Sequence, residues 1–173
     1  INANDGENIM NIFFLDKCPK KSAEMQCNKH IVKMPLESTQ MLSSVWHRYG
    51  HGDKVQYKQA YKNHPATVWA GDSIGNYVWL WQHALELCFE YTRRYNKIHK
   101  CQQIVLDLEY RNIKFAFASS VKTAHPQCMP EEYKNNNSVK AYRNYYIGEK
   151  SKIAKWNTLA QVPYWFKNKK LHI

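Results

Sequence analysis

The sequence predicts an all-α fold: a compact single-domain multi-helix bundle with a long amphipathic central helix and a basic, aromatic C-terminal tail. Three observations carry this expectation. Two long stretches, 23–48 and 74–97, place their residues at helical spacing, strand-like alternation is scarce, and proline, glycine and capping residues punctuate the stretches between. The chain has 173 residues, 44% of them apolar, enough for one domain with a real core. It shows no repeats and no long linker. The expected division is a flexible leader over 1–9, with Met10 as the natural start, followed by a globular domain over 10–173. The leader "INANDGEN" is polar and lacks the order of a signal peptide. No run of about 18 apolar residues offers a transmembrane helix.

Taken in order, "IMNIFFL" (9–15) is either a strand or a helix start, too short for periodicity to decide. "DKCPKKS" is a turn, after which Ser22 can cap a helix from Ala23 towards Arg48. Pro35 is expected to kink that helix, because it removes a backbone donor and disfavours the α region at Met34. "RYGHGDK" is a glycine-punctuated loop, and Pro65 suits a first helical turn. Asp72 or Ser73 can cap a second helix over about 74–97. Its apolar arc is Val78, Trp81, Leu85, Cys88, Phe89 and Thr92, and its opposite arc is Asn76, His83, Glu90, Arg94 and Lys97. Residues 102–117 read as a further helix with an apolar extension. "HPQCMP" reads as a loop, "PEEY" as the start of the next segment, and "NNNS" as a turn with Ser138 as a cap. A tyrosine-rich basic helix is then expected over about 139–156, and Pro163 precedes a short tail.

The net charge of +11 implies an anionic partner: nucleic acid, an acidic membrane surface or an acidic protein. From Lys134 to Ile173 there are nine Lys or Arg and one acid, Glu149, interleaved with aromatics. Lys140, Arg143, Lys150, Lys155 and Lys167 can neutralise phosphates, and Tyr145, Tyr146 and Trp165 can stack on unpaired bases. The plainer alternative is a solvated basic face with the tyrosines packed beneath it. A membrane-anchored helix would need a broad aliphatic face, which this segment lacks. The cysteines, Cys18, Cys27, Cys88, Cys101 and Cys128, are odd in number and form no CxxC pair. That argues against a disulfide framework or a zinc finger, and for a reducing compartment. His47 and His51 are split by Gly50, and the sequence has no HExxH pair, no phosphate-binding glycine loop and no GxSxG elbow. No cofactor is expected; a metal site assembled from distant histidines stays open.

The first long helix holds the most pointed pattern. At about 100° per residue, His30, Lys33, Glu37, Gln40 and Ser44 fall within an arc of roughly 80°, while apolar residues occupy the rest of the circumference. A narrow polar stripe on a mostly buried helix should line a cleft or find polar partners inside. Lys33 and Glu37, at i and i+4, can pair. A carboxylate beside apolar walls can have a raised pKa and shuttle a proton. His30 lies about 10 Å from Glu37 along the axis, so the two can touch one substrate from different ends without bonding each other. The plainer alternative is a satisfied polar seam with an ordinary ion pair.

"MNIFFLD", "KHIVKMPLESTQMLSS", "NHPATVWA", "EYTRRYNKIHK", "MPEEYK" and "AYRNYYIGEKSKIAKW" resemble a set of small proteins encoded by phages and other viruses. More distantly, the chain is similar to the pyrimidine-dimer DNA glycosylase family of the endonuclease V type. That family is a small basic all-α domain whose His-to-Glu spacing of seven His30 and Glu37 reproduce. It carries an "NHP" such as Asn63–Pro65 and an aromatic, basic tail such as "VPYWFKNKK". The resemblance implies a glycosylase and abasic-site lyase acting at the glycosidic bond of a pyrimidine, in the cytoplasm of a host cell. Its implied partner is double-stranded DNA with a base extruded. An amine attacks the sugar C1′ to give a Schiff base, and Glu37 is the carboxylate that stabilises the sugar cation and assists elimination. The family's nucleophile is the N-terminal α-amine, and Lys33 is a substitute amine. His30 completes the implied catalytic set, and Gln40, Asn63 and His64 join the DNA contacts. Where the family places arginines around its glutamate, this chain has Leu36 and Gln40. Two other classes remain open: a non-catalytic nucleic-acid-binding viral protein, and an enzyme acting on free nucleotides. A pocket at Glu37 and His30 beside the basic C-terminal face would favour an enzyme.

Overall fold

The computed structural model describes residues 10–168. The expected leader, 1–9, and the last five residues of the tail lie outside them. Among the described residues every regular element is helical. These are α1 (Pro19–Met25), α2 (Asn28–Arg48), α3 (Pro65–Asp72), α4 (Ile74–Tyr95), α5 (Gln102–Asp107), α6 (Ser138–Gly148) and α7 (Tyr164–Lys167), joined by loops and single 3-10 turns. The two long helices, α2 and α4, pack against each other, and α1 and α3 also pack on α4. Ile31, Met41 and Leu42 of α2 meet Tyr77, Leu80 and Leu87 of α4 in one apolar core.

The opening apolar run is neither strand nor helix. Residues 10–15 form a buried irregular segment, and Phe13 takes φ +56°, a left-handed conformation uncommon for a bulky residue. Side chains satisfy its backbone. Ser22 Oγ donates to Phe13 O at 3.2 Å and accepts from Leu15 N at 3.1 Å, and Gln26 Nε2 donates to Ile12 O at 3.2 Å. Ser22 is therefore a buried bracket inside α1 rather than a helix cap.

The first helix breaks at Gln26–Cys27, not at Pro35. Leaving the helix there brings the Gln26 amide to the carbonyls of the 10–15 segment. Pro35 lies inside a continuous α2, and Thr39 Oγ1 donates to Pro35 O at 2.6 Å one turn on.

Helix α4 starts where expected, with Ser73 Oγ accepting from Asn76 N at 3.1 Å, and ends on Asn96 in the left-handed region. Its orientation corrects the sequence reading. Asn76, His83, Glu90 and Arg94 are buried, whereas Phe89 is exposed. These buried side chains meet polar partners, although His83 Nδ1 is left without one. Asn76 Nδ2 donates to Trp69 O at 2.8 Å, His83 meets Gln26, and Arg94 donates to Glu90, to Asn28 Oδ1 and to Glu24 O.

The helix expected over 102–117 shortens to α5, followed by 3-10 turns at Tyr110–Asn112 and Lys114–Ala116. The basic helix ends at Gly148 and is capped by Asn137, whose Oδ1 accepts from Val139 N at 2.9 Å and Lys140 N at 3.2 Å. Between α5 and α6 a strap without helix over 118–129 crosses α4. It passes so close that a Cβ at Gly75 would lie 2.7 Å from Lys122 N. Asn76 Oδ1 accepts from Thr123 N at 2.8 Å. His125 of the strap is buried and stacks on Phe14 with centroids 3.6 Å apart.

Candidate active site

The polar stripe of α2 survives folding, and the 10–15 segment lies across it. Glu37 is only 9% exposed. Its Oε2 accepts from the backbone nitrogen of Asn11 at 3.1 Å, and its Oε1 lies 3.7 Å from Lys33 Nζ. Burial raises the Glu37 pKa, opposed by the Asn11 N–H and by the positive charges of Lys33 and Lys150. The result is a carboxylate held between two nitrogens in a largely apolar surround, suited to taking and returning a proton.

Asn11 ties this carboxylate to the far side of the site. Its Nδ2 donates to Cys128 O at 2.8 Å, and its Oδ1 accepts from Ile12 N at 2.9 Å. Cys128, with His64, Met129, Tyr145 and Glu149, lines a cavity of about 550 Å³. Glu37 and this cavity therefore flank Asn11. His64 stands at its rim, where Nδ1 accepts from Ala66 N at 3.1 Å and caps α3, and burial lowers its pKa. The cavity can take a planar ring such as a nucleobase.

His30 is 4% exposed and stacks on Phe13 with centroids 4.1 Å apart. Its Nδ1 lies 2.5 Å from the Tyr146 hydroxyl. Burial first, and then Lys150, Lys33 and Lys29, push its pKa down to about 3, so the ring is neutral at ordinary pH. His30 and Glu37 make no mutual hydrogen bond, as their spacing requires, and both pack beside the 10–15 segment.

The rest of the stripe and the "NHP" loop are placed less centrally. Gln40 is half-buried, one turn beyond Glu37. Ser44 is taken up in bracing the loop before α3: its Oγ donates to Ala60 O at 2.6 Å and accepts from Ala60 N at 2.9 Å. Asn63, with Arg48 and Lys62, lines a second cavity of about 300 Å³ beside Ser44.

The C-terminal candidates divide. Lys140, Lys155 and Lys167 are exposed, as phosphate contacts must be. Tyr145, Tyr146 and Trp165 are buried and offer no exposed stacking surface, though Tyr145 borders the cavity beside Cys128. Tyr146 sits edge-on to Phe13, His30 and Trp165, and Tyr145 packs on Phe13 and Tyr133. Phenols enter a core readily when the hydroxyl finds a partner, as Tyr146 does. Arg143 is turned inward as well: its Nε donates to Leu15 O at 2.9 Å, and its guanidinium lies over Trp165 and 3.5 Å from Asp16. Lys150 buries its stem, with the ammonium 5.0 Å from the Tyr145 ring centroid.

Sequence reasoning missed Asn11 and the hydroxyl role of Tyr146. A backbone nitrogen donates whatever its side chain, so nothing in the residue type marked Asn11. No group of three or more His, Cys, Asp or Glu among the described residues could hold a metal ion; His47 instead bonds Tyr57 O at 2.9 Å. The five cysteines are free thiols.

A sequence model of the pyrimidine dimer DNA glycosylase family matches residues 10–103, more than half of the chain. No curated protein and no solved structure matches it. The matched segment holds His30, Lys33, Glu37 and the "NHP" loop, and stops before the strap and α6. The chain belongs to the pyrimidine dimer DNA glycosylase family, which gives it a glycosylase-type function in DNA repair with DNA as its partner.

Proposed function

From that membership, we propose that the chain cleaves the glycosidic bond of a damaged pyrimidine in double-stranded DNA and then cuts the backbone at the abasic site. The observation that carries this is the pair of nitrogens on Glu37: Asn11 N at 3.1 Å and Lys33 Nζ at 3.7 Å. Lys33 is the primary amine of the pair. Passing a proton to Glu37 frees its lone pair to attack the sugar C1′. The C1′–base bond breaks with its electrons on the base, which takes the proton held by Glu37. The nitrogen, now a secondary ammonium, gives a proton to O4′ as the C1′–O4′ bond opens, and an iminium forms between C1′ and that nitrogen. Glu37, returned to its carboxylate, removes a C2′ proton. The electrons move to form the new double bond and expel the 3′ phosphate, and water then hydrolyses the imine and releases the amine. An extruded base sits in the cavity beside Cys128 and Tyr145, and the exposed Lys140, Lys155 and Lys167 grip phosphates.

Borohydride trapping on duplex DNA with an abasic site tests this reading. The wild type should form a covalent adduct, Lys33→Ala should lose it, and Glu37→Gln should slow it. A chain starting at Asn11 places an α-amine at Glu37 in place of the peptide N–H, so retention of the adduct by Lys33→Ala in that chain would assign the nucleophile to the α-amine. Absence of an adduct with every one of these proteins would remove the lyase reading.

A further inference from the structure

Between Lys29 and Trp46, helix α2 leaves only Lys29, Val32, Lys33, Leu36 and Gln40 outside the buried interior. At about 100° per residue these five fall within an arc of roughly 100°, and Glu37 stands roughly 40° beyond its Lys33 edge. Lys33 belongs to this strip, so a sugar joined to its amine lies on the strip too. The edge away from Glu37 is aliphatic: Val32 is 48% exposed and Leu36 is 41% exposed. These two sit one turn apart. Leu36 is three positions from Lys33, which brings their Cβ atoms within about 5–6 Å.

An aliphatic side chain can neither neutralise a phosphate nor exchange a hydrogen bond with a base edge. It gains only by being covered with apolar surface. A stacked duplex turns its phosphates, sugars and base edges outward. The broad faces of its bases are offered only where a step is parted.

The aliphatic edge is also stiffly mounted. His99 Nδ1 accepts from Cys101 N at 3.1 Å, so the ring hydrogen sits on Nε2 and is donated to Val32 O at 3.0 Å. One turn on, Thr39 Oγ1 donates to Pro35 O at 2.6 Å. Through His99, the turn that carries the exposed Lys97 and Lys100 is fastened beside Val32, where it supplies charge for the phosphates of a parted step.

We propose that Leu36, backed by Val32, is a wedge that enters the base stack of the duplex at the reacting nucleotide. It holds the step open while Lys33 and Glu37 work on the sugar. The inference rests on the proposed use of those two residues, and it assigns the means by which the base leaves the stack.

Duplex carrying a tetrahydrofuran abasic analogue, with 2-aminopurine next to it, tests the wedge. The analogue cannot form an imine, and the fluorophore brightens when its neighbour unstacks. With binding saturated, as followed by anisotropy, the full chain should raise the fluorescence several-fold. Leu36→Ala should lose most of that rise, and Leu36→Met should keep it. On natural abasic sites, Leu36→Ala should slow single-turnover cleavage of duplex by about 10- to 50-fold, in line with the apolar groups removed. Cleavage of single-stranded abasic DNA, which has no paired stack to part, should stay within about twofold. Phe115→Ala removes another exposed apolar group, near the Phe117–Tyr49 contact at the far end of α2, and should change neither readout. A saturated wild-type complex without a rise, equal losses on duplex and single strand, or the same losses in Phe115→Ala would overturn the proposal. The wild-type fluorescence decides even if a variant fails to fold. Borohydride adducts on duplex without a fluorescence rise refute this inference alone; a rise without adducts refutes only the lyase reading.

Discussion

The family-matched segment, 10–103, and the segment that follows it use opposite kinds of residue to reach the same interior. The first turns polar groups inward: Glu37, His30, Asn76, Glu90 and Arg94 are all buried. The second turns aromatics inward from a basic helix, leaving Lys140 and Lys155 outside while Tyr142, Tyr145 and Tyr146 fill the core. A polar group can be buried when a partner stands at bonding distance, and an aromatic ring is drawn in by its area even from a highly charged helix. The site forms where the two strategies meet, with a carboxylate and an imidazole from α2 closed over by phenols from α6.

If the buried polar groups of the first segment divide into one that works and others that only hold the fold, the largest effect belongs to Glu37. Glu37→Gln should lower single-turnover cleavage of abasic duplex by about 10²- to 10⁴-fold, the usual reach of a positioned acid–base group, with little change in melting temperature. Normal cleavage by this variant would place the chemistry elsewhere. Glu90→Ala should do the reverse. It leaves Arg94 buried without its carboxylate, and urea unfolding should show a loss of about 3–5 kcal/mol. A loss below about 1 kcal/mol would mean that Asn28 and the Glu24 carbonyl suffice for that guanidinium.

Acid should erode both segments. Burial holds His30 and His83 down to about 3, and His125 of the strap down to about 2. All three are neutral in the fold, while the unfolded chain takes up protons below about pH 6.5. Stability should therefore be full above that pH and fall as pH drops towards the folded values, by up to about 1.4 kcal/mol per pH unit for each histidine. Denaturant midpoints between pH 7.5 and 5 measure the slope. His125→Gln should remove one share of it, and an unchanged slope would mean that the strap opens without uncovering His125. Tyr142→Phe should have the smallest effect. Its hydroxyl donates to Pro126 O at 2.7 Å and accepts from Cys128 N at 3.3 Å, so its loss should cost about 1–3 kcal/mol on thermal unfolding.

The all-helical class, the Ser73 cap and the proline opening α3 could be read because each depends on local chemistry. The stripe from His30 to Glu37 was legible for a related reason: helical geometry alone puts those side chains on one side. The side of α4 that faces the core was not legible, because its orientation depends on distant acceptors such as Trp69 O and Asn28 Oδ1. Tyr145 and Tyr146 of α6 misled in the same way. Ring and charge together suggest a stacking surface, and only the position of Phe13 shows that the rings are already occupied. Asn11 acts through its backbone towards Glu37, and no spacing rule marks such a contact.

The short segment at 10–15 also ties the two ends of the chain together. Asn11 Nδ2 reaches Cys128 O across 117 positions, and Leu15 O receives Arg143 across 128. Contacts of such sequence separation form late, because the intervening chain must be ordered before they are rewarded. A nascent chain that has emerged only as far as residue 103 has Ser22, Gln26 and Glu37 to hold residues 10–15, but lacks the clamps from Cys128 and Arg143. The segment beside Glu37 is thus fastened in two stages, and the second waits for the strap and α6.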